Sequence, residues 1–140
     1  MKTHMDLDVW KLSIEVVKDI YEITKSFPKE EVFGLTSQIK KAAISIPSNI
    51  AEGASRQTNK EFIQFLYISL GSASELETQL IIARELGFID VDNMEIINGK
   101  IENIKKMITG LINYKKSKIN EQFPNSKSRI TNHELRITNH

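Results

Sequence analysis

The 140-residue chain is long enough for one domain with a real core and too short for two ordinary ones. Hydrophobic content of 40%, charged content of 26% and no apolar run near the ~20 residues of a membrane span describe a globular protein that does not partner with membrane. The lack of cysteine excludes disulfides and thiolate chemistry, and a formal net charge of +1 excludes a uniformly basic nucleic-acid-binding domain.

The opening MKTHMDLDVWKL has no apolar stretch ahead of a small-residue cleavage site, so a cytoplasmic location is expected. A first helix is predicted over Leu7 to Ser26, with Asp6 as its N-cap. Leu7, Trp10, Ile14, Val17, Tyr21 and Thr24 form one face of it. Val9, Val16, Ile20, Ile23 and Phe27 follow a second stripe beside the first. SFPKEEVFG breaks the pattern.

A second helix is predicted from about Gly34 to Ala54, apolar at Leu35, Ile39, Ala42, Ala43, Ile46, Ile50 and Ala54. Pro47 falls inside it, where proline removes a hydrogen bond and costs roughly 3 kcal/mol. The carbonyl it frees lies near Ala43, and neighbouring hydroxyls are expected to take it up; the proline is expected to kink the helix. Thr58 with Glu61 three residues on signs the start of a third helix, which ends at Leu86 with Gly87 in the left-handed position and Phe88 folding back. Its FIQFLYISL segment is apolar all round, more than a lone bundle can bury, and predicts self-association.

Asp92 with Glu95 predicts the start of a fourth helix, striped by Met94, Ile97, Ile101, Ile104, Ile108 and Leu111. Lys100, Lys105, Lys106, Lys115, Lys116 and Lys118 face only one acid, Glu102, along that stretch, so overall neutrality hides a local basic run. Short loops between four amphipathic helices predict an all-α, antiparallel up-down-up-down four-helix bundle over residues 1–118. Residues 119–140 form a tail in which RITNH occurs twice, at Arg129–His133 and Arg136–His140. No function is assigned to it.

The chemistry available is sparse. His4, His133 and His140 stand at the chain ends, and there is no phosphate loop or nucleophile elbow. No catalytic residue, metal or cofactor is expected. A nuclease would need converging carboxylates, and Glu52 with Glu75 is the only pair worth checking. A small and polar cluster surrounds Pro47: Ser45, Ser48, Asn49, Glu52 and Gly53, facing a similar run of Gly71, Ser72, Ser74, Glu75 and Thr78.

FGLTSQIKKAAISIPSNIAEGASR followed by EFIQFLYISLGSASELETQLIIARELGFI resembles the four-helix-bundle family of 23S rRNA-intervening-sequence proteins, over about Trp10 to Lys118. The resemblance implies a ring-like homopentamer and a relation to the accessory protein of diversity-generating retroelements, a basic pentamer that works with nucleic acid. The family motif falls on Ser45, Pro47, Asn49, Glu52 and Gly53, then Gly71, Ser72, Glu75, Glu77 and Thr78. Lys40 and Lys41 stand where the family often has arginine, which keeps the charge but loses bidentate geometry.

Two functions compete. One is a non-catalytic RNA-binding homo-oligomer whose phosphate contacts are Lys40, Lys41, Arg56 and Lys60, helped by Lys105 and Lys106. The other is a scaffold that docks a protein partner on the Asn49/Glu52 surface, where Glu52, Glu75 and Glu77 would suit a basic partner.

Overall fold

A computed structural model of the chain describes residues 3–122; the RITNH repeats lie outside the described residues. Four helices form a helical bundle: α1 (Asp8–Ile23), α2 (Leu35–Ala54), α3 (Asn59–Glu85) and α4 (Val91–Gln122). Single 3-10 turns precede α1 and fill the α1–α2 connection, and no strand occurs among the described residues. α4 runs four residues past the expected boundary at Lys118.

Local chemistry sets the helix ends. The Thr58 hydroxyl accepts from the Glu61 N–H at 3.2 Å, the expected start of α3. At its other end the Phe88 N–H donates to Ala83 O (2.8 Å) and the Gly87 N–H to Arg84 O (2.9 Å). That pair of bonds needs a left-handed residue, and Gly87 supplies it at φ 78°. Phe88 then meets Phe27, ring centroids 5.7 Å apart, which joins the two connections at that end.

Two caps differ from expectation. Asp6 does not cap α1; its carboxylate accepts from the Thr3 N–H and closes the preceding 3-10 turn. α4 is capped by Asp90 rather than Asp92, through the Asn93 N–H at 2.8 Å. Both aspartates had a polar residue at the right spacing, and Asp90 wins because α4 starts at Val91.

The core takes one row of α1 and leaves the other half outside. Val9, Val16, Ile20 and Phe27 are buried, whereas Trp10, Ile14 and Val17 are only half-buried and Tyr21 is exposed. The stripe from Leu7 to Tyr21 is therefore the outer one, with Thr24 at its end buried, and it carries the amphipathic rings that tolerate water at one edge. α2 buries Ile39, Ala42, Ala43, Ile46 and Ile50. α4 buries Met94, Ile97, Ile101, Ile104 and Ile108, then Ile112 instead of Leu111. A 3.6-residue period drifts across a strict three-four pattern and selects the later residue. On α3, Phe62, Ile63 and Leu66 are buried, Phe65, Tyr67 and Leu70 half-buried, and Ile68 is 51% exposed.

Candidate nucleic-acid interface

α2 continues through Pro47, which is buried. Here small polar side chains join α2 to α3. The Ser45 and Ser72 hydroxyls share a hydrogen bond at 2.7 Å, and Ser69 donates to Ile46 O at 2.9 Å across the same seam. Asn49 reaches back to Ser45, its amide donating to the backbone oxygen (2.8 Å) and to the hydroxyl (2.9 Å). The hydroxyl from α3 thus goes to Ile46 rather than to a carbonyl near Ala43. Ser69 is where the helices come close enough for a side chain to reach the facing backbone.

Gly53 closes the lower part of that seam. A Cβ there would stand 2.8 Å from Phe65 Cβ and 2.9 Å from Phe62 Cδ1, so only glycine admits the two rings. Gly71 has no such role: it is exposed, and nothing lies within 4 Å of where its Cβ would be.

The remaining motif residues disperse. Glu52 pairs with Arg56 at 3.0 Å, Glu75 accepts from Gln79 at 3.1 Å, and the Thr78 hydroxyl bonds Ser74 O. Glu77 turns toward α4 and pairs with Lys105 at 2.8 Å. Gly53 faces Phe65 and Ser45 faces Ser72, so Glu75 stands about 15 Å along α3 from the level of Glu52. The expected acidic cluster is not assembled, and the Glu52–Glu75 pair is not brought together. Among the described residues no three His, Asp or Glu side chains could together hold a metal ion.

The candidate phosphate contacts also divide. Lys105 is held by Glu77 and, at 3.9 Å, by Glu102. The Glu77 hydrogen bond raises the Lys105 pKa. Burial works to raise the Glu77 carboxyl, but hydrogen bonds from Glu102 and Lys105 outweigh it and leave its pKa lowered. Glu102 is pushed up by its hydrogen bond and repulsion with Glu77. Arg56 is occupied by Glu52 and lies 4.7 Å over the Phe65 ring. Lys40 sits 4.6 Å over the Tyr21 ring. Lys41, Lys60 and Lys106 are exposed and have no ion pair among the described residues. These six cations do not converge: Lys40 and Lys41 stand beyond the Ser45–Ser72 contact, while Lys60 opens α3 at the opposite end.

Lys100 shows how the sequence overstates the basic run. It lies between Asp19 (2.7 Å) and Glu15 (2.8 Å) of α1, and the hydrogen bonds it donates to both raise its pKa. The same hydrogen bond lowers Glu15. Further along α4 the lysines meet rings. Lys115 stands 5.3 Å over Phe62, Lys116 stands 5.6 Å over Tyr67, and Lys118 stands 5.2 Å over Tyr114. These aromatic partners were missed in the sequence, although Phe62 and Tyr67 lie five apart on one helix and Tyr114 adjoins the lysines. An apolar groove of about 280 Å³ opens on another side, lined by Trp10, Ile14, Val17, Ile44 and Pro47 among others.

A family model for 23S rRNA-intervening sequence proteins matches residues 5–110, and the chain belongs to that family. Among solved structures it is similar to a protein of unknown function from the S23 ribosomal protein family of Bacteroides thetaiotaomicron, with 29% identity and a TM-score of 0.70. The match covers 75% of this chain and 95% of that one. No curated protein matches the chain. No described helix is long and apolar enough to cross a membrane.

Proposed function

We propose that this chain is a non-catalytic, self-associating bundle that binds RNA in the cytoplasm. The observation that carries the RNA reading is the set of surface lysines left without a carboxylate, Lys41, Lys60 and Lys106 with Lys115 and Lys116, in a family named for insertions in ribosomal RNA. Each such charge that meets a phosphate releases counterions, so modest contacts repeated over several copies add up.

Self-association is supported by apolar surface that one copy leaves uncovered. Phe33 is 97% exposed, Ile68 51% and Ile44 40%, the last beside the Trp10 groove. The arrangement proposed is an antiparallel bundle, with Pro47 bending α2, repeated in a ring of five copies. In the protein-docking alternative the Asn49/Glu52 surface has little to offer, since Asn49 is spent on Ser45 and Glu52 on Arg56.

The test is binding of a fluorescent structured RNA to the full chain across a salt series. Affinity that falls steeply with salt is the expected result. No binding at low salt overturns the RNA reading.

A further inference from the structure

We infer that the surface where the end of α4 crosses the start of α3 is a site for unpaired RNA, with Tyr114 as the stacking platform and Lys115, Lys116 and Lys118 as the phosphate contacts. The inference rests on the RNA reading above and narrows it to one ligand class and one place.

The argument begins with what the lysines do not touch. Lys115 and Lys116 have no carboxylate within ion-pair distance among the described residues, unlike Lys100 and Lys105 on the same helix. Lys118 meets one carboxylate among the described residues, the exposed Glu121 at 3.3 Å. The Lys115 and Lys116 ammoniums are met instead by rings: Phe62 under Lys115, Tyr67 under Lys116, and a Tyr67 hydroxyl that accepts from Lys116 at 3.2 Å. A ring positions an ammonium without cancelling its charge, so the cations stay available to an anion. Lys60, also without an ion pair among the described residues, opens α3 on the same end.

Tyr114 completes the site. It is 54% exposed, and the Lys118 and Lys115 ammoniums stand 5.2 and 5.9 Å from its ring centroid. A polyanion that draws these two ammoniums to phosphates leaves the ring face to a base. Exposed aromatic rings set among cations suit single strands, because a base in a duplex has no free face to offer. A protein ligand is the less suitable class: the carboxylates of an acidic peptide would meet the cations but carry no aromatic face to stack on the ring.

The test measures the full chain against a 12-nucleotide oligouridine and a 12-base-pair RNA duplex, in wild type and three variants. Tyr114→Ala is expected to weaken oligouridine binding at least about fivefold while leaving duplex binding alone. Tyr114→Phe keeps the ring and is expected to restore affinity. K115Q/K116Q is expected to flatten the salt dependence of oligouridine binding, by about 0.7 in slope per lost phosphate contact. Thermal melting confirms that each variant is folded. If the variants bind oligouridine as wild type does, the site is wrong while RNA binding stands. If the wild type prefers the duplex, the ligand class is wrong. If neither RNA binds, the underlying reading fails and takes the site with it.

Discussion

The two halves of α4 carry the same kind of charge and treat it in opposite ways. Where the first half crosses α1 and the middle of α3, Lys100 and Lys105 are each met by a carboxylate pair: Asp19 with Glu15, and Glu77 with Glu102. Where the second half crosses the start of α3, Lys115 and Lys116 are met by Phe62 and Tyr67. The first arrangement uses charge to hold helices together. The second sets the ammonium over a ring and leaves it without a carboxylate among the described residues. Charge counted along a sequence is therefore not charge available to a ligand.

The ring-bearing half can be broken at its base. Gly53→Ala sets a Cβ against Phe65 Cβ and Phe62, and neither contact atom is the end of a flexible chain. Overpacking of this kind costs about 1–3 kcal/mol, against a gain of at most about 1 kcal/mol in helix propensity. A net loss of about 1–2 kcal/mol in denaturant unfolding is expected, with the Phe62 and Phe65 rings displaced.

The carboxylate-paired half is probed more gently by Lys100→Gln. Lys100 is only a quarter exposed while Glu15 is over half exposed, so the loss expected near neutral pH is about 1 kcal/mol. Its pH dependence has a definite sign. Because the folded pKa is raised, the stabilisation is complete below the ordinary lysine value of about 10.4 and fades as pH rises through the folded value. The gap between variant and wild type should stay level through pH 7 to 9 and close above about 10.4. A gap that widens with alkali would contradict the pairing.

Lys116→Met sharpens the contrast from the other side. Methionine keeps an apolar side chain beside Tyr67 and gives up the cation with its long, part-exposed hydrogen bond to the Tyr67 hydroxyl, so the cost in stability should be about 0.5 kcal/mol. A larger loss in unfolding experiments would mean that Lys116 holds the fold as Lys100 does.

What could be read in the sequence was what depends on near neighbours. The Thr58 cap, the Gly87 turn and the isoleucine row of α4 each rest on residues within a few positions of one another. Choosing between the two stripes of α1 was beyond periodicity, since both are apolar and only packing against α2 and α4 decides which is buried. The fate of the lysines was less legible still: Lys100 finds Asp19 across 81 positions and Lys116 finds Tyr67 across 49. The motif was recognisable as a string, yet Ser69, which lies outside it, makes the bond to the backbone of α2.

The hydroxyl seam has a consequence for how the two helices slide. Apolar side chains tolerate a small shift along a neighbour, because oily contact has no direction. The Ser45–Ser72 and Ser69–Ile46 bonds and the Gly53 notch do not, since each is met from α3 at one height. Together they act as a detent, and the level of every group on α3 relative to α2 is set there rather than by the four-residue turn from Ser55 to Thr58. Lengthening that turn should therefore disturb the molecule less than erasing one hydroxyl in the middle of the helices.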